Sequence, residues 1–136
     1  MTIGKVNLEK HAKKITYGYI IALFAVSMLP INGKDSVINN TYVLSEIRLD
    51  YFMHSILLLP WMLLRLFYAK TSLKEAIQWF FMGILLAILA EGVQYFLPYR
   101  TYNVIDLVAN LLGVFLGAML WRLAIAILGN FTLYNK

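Results

Sequence analysis

Glu91, Gln94, Arg100, Asp106 and Asn110 stand close together in one of the most apolar parts of this 136-residue chain. A charged side chain inside hydrocarbon costs roughly 2.5 to 3.5 kcal/mol on insertion scales, so such residues mark a functional site by default. Their spacing is helical. Glu91 and Gln94 are three apart, Asp106 and Asn110 four apart, and further upstream Asp50 and His54 are four apart; residues at these separations share one helix face. The types point to proton transfer and anion binding. Asp50, His54, Glu91 and Asp106 are the candidate acids and bases, Arg100 offers a planar fork that matches phosphate or carboxylate, and the amides of Gln94 and Asn110 can orient a substrate group. The same four acid-base residues could favour a hard divalent ion, but no HExxH or comparable ligand motif is present, so neither metal nor cofactor is expected. His11, among lysines, is expected at the surface.

Hydrophobic residues make up 61% of the sequence and charged residues 14%, with a mean hydropathy of +0.70, too apolar for a soluble domain of this size. About 20 apolar residues are needed to cross roughly 30 Å of hydrocarbon. Four segments approach or reach that length: Ile15 to Ile31, Leu49 to Ala69, Leu73 to Leu97, and Val104 to Leu128. The expected fold is therefore all-α, a polytopic membrane protein with four transmembrane helices in a compact bundle. A basic segment, 1–14, precedes this domain of 15–128, and a short tail, 129–136, follows it. No cysteine is present, which excludes disulfides, thiolate metal sites and cysteine nucleophiles.

The net charge of +5 follows topology rather than nucleic-acid binding. Of twelve Lys and Arg residues, nine (Lys5, Lys10, Lys13, Lys14, Arg65, Lys70, Lys74, Arg122 and Lys136) fall on one side of the expected spans. Only Lys34, Arg48 and Arg100 fall on the other. The positive-inside rule then places both termini in the cytoplasm and the connections 32–48 and 98–103 outside. The first apolar stretch is expected to be retained, since no small-x-small cleavage pattern follows it and Pro30-Ile31-Asn32-Gly33 reads as a helix exit. Tyr17, Tyr19, Tyr68 and Trp79 suit one aromatic belt, and Tyr42, Tyr51, Tyr95, Tyr99 and Tyr102 the other. The Asn39-Asn40-Thr41 sequon carries no weight.

Pro98 ends the third span and Asn103 caps the fourth, while Pro60 is expected to bend the second. Asp106, Asn110, Gly113 and Gly117 advance by four, three and four residues, so a polar stripe continues into a small-xxx-small packing face. Packing within the bundle is the expected use of Gly113 and Gly117; a homo-oligomer seam stays open. Counted in turns, Asp50, Glu91 and Asn110 all lie in the outer half of the membrane. Arg100 could fold over Glu91 or Asp106 and offset their charge.

The pattern Glu91-x-x-Gln94, Pro98-x-Arg100, Asp106-x-x-x-Asn110-x-x-Gly113-x-x-x-Gly117, preceded by Asp50-x-x-x-His54, resembles the VanZ-like membrane proteins of bacteria from about Ser27 to Gly117. In that family a lysine commonly follows the residue equivalent to Asp50, where this chain has Tyr51. The resemblance implies a small helical protein of the bacterial plasma membrane, associated through the family's namesake with resistance to the lipoglycopeptide teicoplanin. Membrane lipids, and a lipid-linked envelope precursor or lipoglycopeptide, are the partners it implies; nucleic acid is not among them. The leading reading is binding, or modification, of such a molecule in the outer leaflet. A noncatalytic packing or interaction subunit is the alternative. A small transporter or proton relay fits less well, because the inner halves of the helices are mainly Leu, Ile, Ala and Phe.

Overall fold

The computed structural model describes residues 3–29, 41–44, 47–68, 72–100 and 102–134. The Pro30-Ile31-Asn32-Gly33 exit, Lys34, Lys70, and Asn39 and Asn40 of the sequon lie outside the described residues. Four helices dominate: α1, Ile3–Met28; α2, Leu49–Leu63, prolonged by a 3-10 turn, Leu64–Phe67; α3, Leu73–Tyr95; and α4, Val104–Tyr134. Two departures from the expected pattern concern boundaries. Helix α1 begins at Ile3, within the basic segment, and α4 runs past residue 128 to Tyr134. A third is a small antiparallel hairpin, β1 (Tyr42–Leu44) and β2 (Ile47–Arg48), which pairs Tyr42 with Arg48 and Leu44 with Ile47. Strands this short show no alternation from which they could be read.

Three helical stretches among the described residues are long and apolar enough to cross a membrane: Leu49–Phe67, Leu73–Tyr95 and Val104–Ile127. Their outward faces are apolar too. Phe81, Leu85, Ile88 and Leu89 on α3, and Val108, Leu112, Phe115 and Met119 on α4, are exposed, as befits helices solvated by lipid rather than water. Inward, α3 buries Ala76, Gly83, Leu86, Ala87, Ala90, Glu91 and Gln94, and α4 buries Asp106, Ala109, Asn110, Gly113, Val114 and Gly117.

Lipid is as apolar as leucine, so packing and interhelical hydrogen bonds hold such a bundle together. The most extensive pairing joins α2 to α4. Its seam is made by Gly113, where a Cβ would overlap the carbonyl oxygen of Ser55, and Gly117, where one would overlap that of Leu59. Ser55 Oγ donates to the Ala109 carbonyl oxygen across this seam at 2.9 Å. Pro60 lies within α2, where its ring leaves the carbonyl of Ile56 without the usual helical donor.

Helix α1 packs chiefly on α3 and the 3-10 turn. Tyr19 donates to the Leu57 carbonyl oxygen at 2.6 Å. Trp61 and Trp79 stack with ring centroids 4.5 Å apart, and each indole N–H donates to the other residue's carbonyl oxygen, at 2.8 and 2.9 Å. Tyr19 and Trp79 are thus tied into the bundle, beyond the interfacial role their positions suggested.

Candidate functional site

The helix caps set the site. Asn103 begins α4, its Oδ1 accepting from Ile105 N–H at 3.0 Å, and this cap satisfies a backbone donor that the first helical turn leaves free. It places Asp106 in the first turn and Asn110 one turn deeper. Helix α3 starts at a capping box in which Ser72 Oγ accepts from Glu75 N–H at 3.3 Å. It runs to Tyr95, bringing Glu91 and Gln94 to the same end of the bundle as the start of α4. At that end α2 also starts, with Asp50 and then His54. The hairpin and the 96–103 connection flank them.

The structure brings together His54, Glu91, Asp106 and Asn110. His54 Nδ1 lies 3.3 Å from Asn110 Oδ1, joining two residues 56 positions apart. An amide oxygen can only accept, so in this pairing Nδ1 is the donor, and a neutral ring then has its lone pair on Nε2. That Nε2 lies 3.9 Å from Asp106 Oδ2. One nitrogen of His54 and one carboxylate oxygen each of Glu91 and Asp106 lie within 4.8 Å of one another.

Gln94 and Arg100 form a second unit. Arg100 donates from Nε and Nη2 to Gln94 Oε1, at 3.2 and 2.9 Å. This differs from the expected contact with Glu91 or Asp106: the guanidinium reaches the neutral amide and acts on the carboxylates only through space. Burial lowers the pKa of Arg100, and the negative charges of Glu91, Asp106 and Asp50 oppose that shift. Asp50 has hydrogen-bond partners of its own, and its charge also acts on Arg100. Arg48 Nη2 donates to its Oδ2 at 2.7 Å and Tyr51 N–H to its Oδ1 at 3.0 Å. Arg48 also lies over the Tyr51 ring at 5.0 Å.

All seven candidates are buried: Glu91 is 0%, Asp50 1% and Gln94 1% exposed, while Arg100, nearest to solvent, keeps 9%. Such groups normally find hydrogen-bond partners. Yet Glu91 Oε2, Gln94 Nε2 and Asn110 Nδ2 have none among the described residues. Glu91 Oε1 does have one, accepting from Asn103 N–H at 3.2 Å. The spare valences are two donors and one acceptor, beside a guanidinium with further N–H groups. They suit a ligand that carries both anionic oxygens and a hydroxyl or amine.

Asn103 does more than its sequence position as a cap implies. Besides capping α4 it gives its backbone N–H to Glu91 and its Nδ2 to Asp106 Oδ1 at 3.2 Å, linking carboxylates on two helices. An acidic residue three positions after the cap is the only local signal of this. Arg48 and Ser55 also serve the site: an arginine two residues before Asp50 is a readable cue to their pairing, whereas the reach of Ser55 to α4 leaves none. A cavity of about 480 Å³ opens at the opposite end, lined by Lys13, Tyr68, Arg65, Glu75 and Trp79 among others. There Arg65 Nη2 donates to Glu75 Oε2, so those charges satisfy each other.

The VanZ/LLP1 family model matches residues 6–126, which includes every residue of the polar cluster. No curated protein and no solved structure matches the chain.

Proposed function

We propose, from the premise that this chain belongs to the VanZ/LLP1 family, that it binds the head group of a lipid-linked or acylated envelope molecule in its polar pocket. In this reading the protein crosses the bacterial plasma membrane four times, α1 included, with both termini in the cytoplasm. The pocket then opens to the outer leaflet, because it shares its end of the bundle with the 98–103 connection. The nine-to-three division of basic residues supports that orientation.

The observation that carries the reading is the set of unsatisfied polar atoms on Glu91, Gln94 and Asn110, on two helices at the end of the bundle where Arg100 also lies. An isolated packing network would gain nothing by leaving them unpaired, since each buried orphan costs about 1 to 3 kcal/mol. A ligand satisfies them. Arg100 and the two amide N–H groups hold a phosphate or carboxylate, and Glu91 accepts from a neighbouring hydroxyl or amine. If the bound molecule is also modified, His54, Glu91 and Asp106 are the groups placed for proton transfer. The namesake's association with teicoplanin fits a ligand that combines an acyl chain with a polar body in that leaflet.

Tolerance of a lipoglycopeptide such as teicoplanin is measured in matched cells with and without the protein. Glu91→Gln keeps size and removes charge; Arg100→Lys keeps charge and removes the fork. Both are expected to abolish or sharply reduce the protection while the protein accumulates normally in the membrane. Full protection by both variants would exclude the reading. Loss in step with lower abundance or thermal stability would favour a packing network instead.

A further inference from the structure

We propose that His54, Glu91 and Asp106 form a three-ligand site for a divalent first-row transition ion, Zn²⁺ or Mn²⁺. The inference concerns the pocket just described but stands on its geometry, independent of any lipid. Three observations converge. First, the three ligand atoms come from three different helices and lie within 4.8 Å of one another, with His54 Nε2 already 3.9 Å from Asp106 Oδ2. Ligands about 2.0 to 2.2 Å from a tetrahedral ion stand roughly 3.4 Å apart. Side-chain adjustments of about 1 Å therefore close the site.

Second, the histidine is prepared as a ligand. A metal-bound imidazole almost always donates its other ring N–H to a fixed acceptor, which sets the tautomer and the ring plane. Asn110 Oδ1 is that acceptor, 3.3 Å from Nδ1. In the neutral ring this leaves the lone pair on Nε2, 3.9 Å from Asp106 Oδ2, a spacing that a cation between them would shorten. Third, Glu91 is fully buried and its Oε2 has no hydrogen-bond partner among the described residues, while its Oε1 takes only the Asn103 N–H.

Charge balance points the same way. Asp50 is matched by Arg48. Among the described residues, the buried cation beside Glu91 and Asp106 is Arg100, which hydrogen-bonds to Gln94 rather than to either of them, and Arg48 acts on Asp106 only through space. A cation bound between the two carboxylates would offset their mutual repulsion. One imidazole with two carboxylates suits Zn²⁺ or Mn²⁺ better than softer ions. Three protein ligands also leave a coordination position for water or for an oxygen of a bound molecule.

The test uses untagged full-length protein in detergent micelles, stripped with chelator and titrated with Zn²⁺ alone and with Mn²⁺ alone. About one ion per chain is expected to bind saturably. His54→Ala, Glu91→Gln and Asp106→Asn should each abolish it, and Asn110→Ala should weaken it about 10- to 100-fold, the usual effect of losing the group that orients a ligand. Glu75→Gln, at the far end of the bundle, should bind as wild type. Because a ligand variant could fail to fold, Co²⁺ is added to wild-type protein, where visible absorption of a four- or five-coordinate nitrogen and oxygen site is expected. Absence of stoichiometric binding to wild type, or His54→Ala protein that binds as wild type does, would overturn the proposal. The titration contains no lipid and lipid binding can be measured on stripped protein, so failure of one idea is distinguishable from failure of the other.

Discussion

Replacing Gly113 by alanine tests how tightly the α2–α4 seam holds the site. The added Cβ would overlap the Ser55 carbonyl oxygen and stand 3.0 Å from its carbonyl carbon and 3.1 Å from its Cα. Carbon pairs prefer about 3.5 to 4.0 Å, so α4 must withdraw by roughly 0.5 to 1 Å. Overpacking of this kind costs about 1 to 3 kcal/mol. The 3.3 Å contact between His54 and Asn110 would stretch beyond hydrogen-bonding range, adding about 1 kcal/mol. Alanine's better helix propensity returns about 1 kcal/mol. The net expectation is a loss of about 1 to 3 kcal/mol. Gly92→Ala is the matched control, because a Cβ there meets nothing within 4 Å and the propensity gain of up to about 1 kcal/mol stands alone. Reversible unfolding of both proteins in mixed micelles measures the gap, expected to be about 2 to 4 kcal/mol from these terms. Equal stability of the two variants would refute the close approach of α4 to α2.

Asn103→Ala removes the α4 cap and the Asp106 contact, and is expected to cost about 0.5 to 2 kcal/mol in the same unfolding measurement. Helix orientation is read by cysteine labelling in cells: Ser36→Cys should react with an impermeant reagent from outside while Thr71→Cys is protected, and the reverse pattern would invert the topology.

Much of the candidate site is legible in the sequence because helical spacing fixes which face a residue occupies. Glu91 and Gln94, and Asp106 and Asn110, reach one end of the bundle because Pro98 and Asn103 mark the short connection between α3 and α4, and Asp50 and His54 join them because α2 begins at that end. Atom-level partnerships are not encoded that way. Whether Arg100 meets a carboxylate or the Gln94 amide depends on the path of a short connection. The His54–Asn110 contact depends on how closely α2 and α4 approach, which the two glycines permit but do not specify. The backbone N–H of Asn103 reaches Glu91 without leaving any trace in residue identity. The hairpin strands carry no such signal for a different reason, since five strand residues hold too little pattern to stand out. Trp79 read as an interfacial residue because amphipathic rings favour that level, yet its ring also finds a stacking partner and a carbonyl inside the bundle.

In the proposed function, the pocket around Glu91 and Arg100 holds an anionic, lipid-linked head group. Native mass spectrometry of the protein released gently from cell membranes measures this directly, with lipid composition compared against the surrounding membrane. Wild-type protein is expected to retain a lipid-linked or acylated anionic species well above its bulk abundance, and folded Glu91→Gln and Arg100→Lys proteins to lose that enrichment. The same bulk lipids on all three proteins would contradict the account.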